Sequence, residues 1–140
     1  MMDKAITVLI VGLVLTLWNL GGVYSFYHDY TMTSADISKL PAAQAVMYTK
    51  MGGWEWVVYA VGTIAGLIGS ALIALKKGWA APVSLVSLVA VAIQFGHTAL
   101  AHAASSVWTP GAIAFVGFIV LIAAIQWLLA RRWKAKGLLA

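Results

Sequence analysis

Four apolar runs, each about as long as a bilayer's hydrocarbon core is thick, decide what this chain of 140 residues can fold into. They extend from Ala5 to Phe26, Trp54 to Leu75, Pro82 to Ala103 and Pro110 to Ala130. At 1.5 Å of rise per residue, about 22 residues of helix cover about 33 Å, enough to span with slight tilt. Lipid tails offer no hydrogen bonds, so backbone N–H and C=O groups must be satisfied within the protein, and runs of this length fold as helices. The expected fold is an all-α membrane protein. A single membrane domain covers residues 1–140, with four antiparallel transmembrane helices and an external amphipathic helical segment at 27–53. Composition agrees: 63% of the residues are hydrophobic and 9% charged, against about a quarter charged in a soluble domain. The first run continues into Trp18, Tyr24, Phe26 and Tyr27 with no small-residue cleavage site behind it. It reads as a retained span rather than a signal peptide.

Charge position carries more information than the net +5. Lys4, Lys76, Lys77, Arg131, Arg132, Lys134 and Lys136 fall on one side of a four-span arrangement, and Lys39 and Lys50 on the other. The positive-inside rule then puts both termini and the middle turn in the cytoplasm of a bacterial cell, in a multi-pass inner-membrane protein. Basic residues at span ends argue against a nucleic-acid partner. The absence of cysteine excludes disulfides and thiolate metal sites.

Between the first two spans, Thr33 and Asp36 have the spacing of a capping box that starts a short helix at Ser34. Pro41 suits a first helical position, and Gly52–Gly53 a helix stop. Two readings of this segment are open: a helix lying on the membrane surface, or a lid over the bundle mouth hinged at the two glycines. Thr109 followed by Pro110 marks the start of the fourth span.

The second span carries Gly62, Gly66 and Ser70 at steps of four, with Gly69 alongside. Small residues at this spacing let another helix approach closely, either inside the bundle or at a homodimer contact. The third span holds the costly residues. Ser84, Ser87, Val91, Gln94 and Thr98 recur at three or four and share one helix face, with His97 beside it. A polar side chain in hydrocarbon needs a partner, so this face is expected to point into the bundle. Asn19 in the first span is the expected partner for Gln94, and Gln126 stands apart near the inner end of the fourth. Glu55 is expected either as a solvated carboxylate at a helix N-terminus or as a partner for His97 that couples proton movement to conformation. His97 has a further reading as a neutral side chain bonded to Asn19 or a backbone carbonyl. His97 and His102 are five apart, which splays them on a helix, so no metal site is expected among His28, His97 and His102. No nucleophile–base set, phosphate-binding glycine loop or carboxylate pair is present, so neither catalysis nor a bound cofactor is expected.

The segments WNL with Gly21–Gly22, TMTSADISKLPAAQAVMYTKM, WEWVVYAVGTIAGLIGSALIALKKGWAAP and SLVSLVAVAIQ are similar to those of a family of small bacterial four-span membrane proteins labelled sugar transporters. Members often carry a proline before the second-span tryptophan, where this chain has Gly52–Gly53. Trp18, Asn19, Glu55, Gln94 and His97 are expected to face a shared outward cavity, where an indole beside amides suits a sugar or similar polar solute, and the resemblance implies transport or binding of such a solute. Four helices enclose little volume, which implies a homodimer. The alternative is a non-transporting scaffold or accessory subunit, in which the polar residues close on one another and the glycine stripe binds a partner membrane subunit.

Overall fold

The computed structural model describes residues 3–140. Their order is α1 (Lys4–Tyr30), α2 (Ser34–Ser38), α3 (Ala42–Lys50), α4 (Gly53–Ala74), α5 (Ala80–Ala101) and α6 (Pro110–Ala135). α1, α4, α5 and α6 are long and apolar enough to cross a membrane and pack as a bundle. The expected all-α fold with four apolar spans is what the chain adopts. Leu13, Val14, Ile68, Val89 and Leu121 stand exposed on its outside. A water-soluble protein would bury such side chains; here the bilayer is their solvent.

The helix boundaries have local causes. Asp3 caps α1 by accepting from the Ala5 N–H at 3.2 Å. Thr33 and Asp36 form the expected capping box: the Thr33 N–H donates to Asp36 Oδ2 at 2.9 Å, and the Asp36 N–H donates to Thr33 Oγ1 at 3.2 Å. These bonds favour the carboxylate, so Thr33 holds the Asp36 carboxyl below its ordinary value. Thr109 Oγ1 accepts from the Ala112 N–H at 3.1 Å, with Pro110 opening α6. The glycines after α3 differ from expectation. The chain leaves α3 through Met51 in an extended conformation, and Gly52 caps the start of α4 with φ −85°. Pro41 likewise precedes the first turn of α3 instead of occupying it.

Two helix ends close with the same motif. After α6, the Gly137 N–H (φ 72°) donates to Lys134 O and the Leu138 N–H to Trp133 O. After α4, the Lys76 N–H (φ 56°) donates to Ile73 O and the Lys77 N–H to Leu72 O. Both place a left-handed residue just past the helix and satisfy its last carbonyls. The tail after α6 then docks on the α4–α5 turn, where the Ala140 N–H donates to Lys76 O and the Gly78 N–H to Ala140 O. Leu139 enters a core with Val8, Leu15, Ile73, Ala80 and Ala130. The basic residues at the α1 start, the α4–α5 turn and the α6 end therefore share this end of the bundle.

α4 and α5 form the central pair, with α1 packed on α4 and α6 on α5. At the basic end the packing is tight. A Cβ on Gly12 would lie 2.5 Å from Ala74 N, so α1 and α4 meet there backbone to backbone. Toward the other end α1 and α6 flank a gap. They touch through Trp18 and Phe118, edge to face at 5.2 Å, and through one side-chain hydrogen bond.

A polar floor, an apolar chamber and an aromatic lid

The glycine stripe and the α5 polar face meet each other. Gly62, Gly66, Gly69 and Ser70 are buried, as are Ser84, Ser87 and Val91. The close approach lets the Ser87 hydroxyl donate to Gly62 O at 2.7 Å. A Cβ on Gly69 would lie 2.5 Å from Ser84 Oγ, and one on Gly66 would strike Asn19 Oδ1. The in-bundle reading of the stripe is thus the observed one. Its glycines meet α5, α1 and α6 within the bundle.

Asn19 does not pair with Gln94. Its Nδ2 donates to Gln126 Oε1 at 2.8 Å and to Leu15 O at 2.8 Å. Gln126 is 2% exposed and donates through Nε2 to Gly66 O and to Ser84 Oγ, both at 3.0 Å. The correction has a geometric cause. Gln126 bonds to Ser84 and Gly66, and Ser84 stands ten residues, about 15 Å, along α5 from Gln94. Gln126 reaches the level of Asn19, while Gln94 lies nearer the other end of α5. All four amide hydrogens of Asn19 and Gln126 are used, and the network ties all four spans together.

On the far side of this network lies a cavity of about 820 Å³. Trp18, Asn19, Glu55, Gln94 and His97 all line it, so the five residues singled out from sequence share one chamber. Gln126 contributes to its floor. Val91, Phe95, Val116 and Ile119 give the middle an apolar wall. The hydroxyls of Thr63 and Thr98, which also line it, are bonded back to their own helices at Tyr59 O and Gln94 O.

Glu55 stands at the start of α4 as expected, but at 16% exposure it is enclosed rather than solvated, and it meets His97. Oε2 accepts from the Gly52 N–H at 2.6 Å, completing the start of α4, and Oε1 lies 2.9 Å from His97 Nδ1 on α5. His97 is therefore held by Glu55 rather than by Asn19 or a carbonyl. The Trp54 ring packs edge-on against it at 4.6 Å. The side chain stays 41% exposed, which leaves Nε2 open to the cavity. His28 and His102 also line the chamber, yet no three His, Asp or Glu side chains among the described residues come together as a metal site.

One cluster is absent from the sequence reading. Asp29 Oδ2 accepts from the Tyr48 hydroxyl at 3.1 Å and the Tyr59 hydroxyl at 2.9 Å, joining α1, α3 and α4. Burial, then the Asp29 charge, push the Tyr48 hydroxyl well above the usual phenol value. Trp56 stacks on Tyr48 and Tyr59, and Phe26 and Tyr30 meet it edge-on. These contacts hold α3 across the chamber's mouth, where Gln44, Met47, Tyr48 and Met51 line it. α3 thus lies over this end of the chamber. The signal for this was the density of aromatic residues on both sides of the 27–53 segment, which reads equally well as an interfacial belt.

Comparison of the chain with protein-family models, with curated proteins and with solved structures gives no match.

Proposed function

We propose that this membrane protein binds a small molecule in the chamber between its four spans and serves as a small transporter or solute-binding protein. The observation that carries the reading is one continuous cavity of about 820 Å³ reaching from Trp18 to His97. That volume lies within the range of about 300–1,000 Å³ typical of ligand sites. A scaffold has no use for such a space, and would bond its intramembrane amides to one another throughout. Gln94 instead faces the cavity, with no side-chain hydrogen bond among the described residues. The basic end of the bundle is cytoplasmic in this reading, which makes the lidded mouth external. The bacterial inner membrane is the matching location. A sugar-like solute is the occupant that the sequence resemblance implies.

The test is a thermal-shift screen of the protein in lipid nanodiscs against sugars, polyols, amino acids and single-chain amphiphiles. At least one compound should raise the unfolding midpoint progressively with concentration, since a ligand at about a hundred times its Kd stabilises by about 2.7 kcal/mol. Ala112→Trp, which places an indole in the chamber, should remove that shift while leaving helix content unchanged. A folded protein with no shift from any class overturns the reading.

A further inference from the structure

Resting on that reading, we propose that the occupant is an amphiphile with one aliphatic chain and a hydroxyl head, taken from the bilayer between α1 and α6, with its head at His97. The argument follows the hydrogen bonds that remain unspent. At the floor, both amide donors of Asn19 and both of Gln126 are already committed to protein oxygens. In the middle, the threonine hydroxyls are bonded to their own helices and the wall is Val91, Phe95, Val116 and Ile119. A sugar, with a hydroxyl on nearly every carbon, would leave most of them unpaired there, and each unpaired polar group is costly. An aliphatic chain has no such demand.

The polar groups left open are grouped at one end. Glu55 fixes the His97 ring through Nδ1, so a neutral imidazole carries its hydrogen on that atom and presents Nε2 as an acceptor. A hydroxyl fits Nε2 in either state of the ring, donating to Nε2 of a neutral imidazole and accepting from Nε2–H of a charged one. Gln94, one turn back on α5 and lining the same space, has a free amide for the oxygen of that hydroxyl. The way in follows from the helix packing. α1 and α6 are joined near the floor, at Asn19–Gln126 and Trp18–Phe118, and the chamber lies between them beyond those contacts. Tyr24 on α1 and Phe115 on α6, both lining the chamber, are 68% and 61% exposed, so side chains do not seal the space between the two helices there. A molecule dissolved in the outer leaflet reaches such a slot without crossing water.

The experiment uses the full chain in lipid nanodiscs and a twelve-carbon primary alcohol carrying a diazirine on its chain, with labelled residues mapped by mass spectrometry. Saturable labelling is expected on α5 and α6 around Phe95 and Ile119, competed by dodecanol and neither by dodecane nor by glucose. His97→Ala should weaken labelling about tenfold, the loss of one good hydrogen bond. Ile119→Trp should abolish it with His97 intact, a control that does not depend on the Glu55–His97 pair. Dodecane competing as well as dodecanol removes the head-group role of His97 and overturns the proposal. If a sugar or polyol binds and dodecanol does not, the binding function stands and the amphiphile is wrong. If nothing binds saturably, both fail.

Discussion

Gly12→Val will separate α1 from α4 at the basic end of the bundle. The hydrogen on Gly12 that points at α4 is all the space allows: a Cβ there would meet Ala74 N at 2.5 Å, Ala74 Cα at 2.6 Å and Ala74 Cβ at 2.9 Å. Two of these atoms are backbone, so no rotamer change relieves the contact and a whole helix must move. Val8 and Leu15, buried one turn to either side, would lose their fit at the same time. Overpacking of this kind costs about 1–3 kcal/mol, and a rigid backbone neighbour puts this site at about 3 kcal/mol. Gly21→Ala supplies the control on the same helix. Nothing lies within 4 Å of a Cβ at Gly21, so the change is expected to be neutral or to stabilise by up to about 1 kcal/mol through helix propensity. Unfolding midpoints in mixed micelles read both. Equal effects of the two substitutions would mean that α1 and α4 do not meet as described.

The second large effect is at the floor. Gln126→Leu removes the side chain to which α1, α4 and α5 are all bonded. Hydrogen bonds between membrane helices average about 0.6 kcal/mol, with a maximum of about 1.7. The three bonds together are therefore worth about 2 kcal/mol. Ser84 can turn back to its own helix, which limits the loss on α5. A double-mutant cycle between Asn19→Ala and Gln126→Ala isolates the α1–α6 bond and should return a coupling of about 1 kcal/mol, whereas Gln94→Ala with Asn19→Ala should return none. The reverse result would restore the Asn19–Gln94 pairing that the sequence suggested.

That pairing shows where sequence reasoning stops. The four spans, the Thr33–Asp36 box, the Thr109–Pro110 start and the inward face of α5 were all legible, because each depends on spacing within one segment. The partner of Asn19 depends on how far one helix slides past another. Here Gln126 meets Asn19 at the level of Ser84, ten residues along α5 from Gln94, and Gln94 is left free. The clasp of Ala140 on the α4–α5 turn and the meeting of Asp29 with Tyr48 and Tyr59 are of the same kind. Each joins residues whose separation in the chain says nothing of their distance. The five candidate site residues share a chamber because a polar group in hydrocarbon must turn inward. Which of them are spent on each other is decided by packing.

A chain without cysteine permits a direct test of the chamber. Single cysteines at Gln94, Ile93, Lys50 and Lys77 can be challenged in intact cells with a water-soluble, membrane-impermeant maleimide. Gln94 lines the cavity, whereas neighbouring Ile93 is 48% exposed on the lipid side of α5. The account predicts that Lys50→Cys and Gln94→Cys react, and that Ile93→Cys and Lys77→Cys do not. Reaction at Ile93 with none at Gln94 would mean that the polar face of α5 looks outward, and would contradict the bundle, the chamber and its contents together.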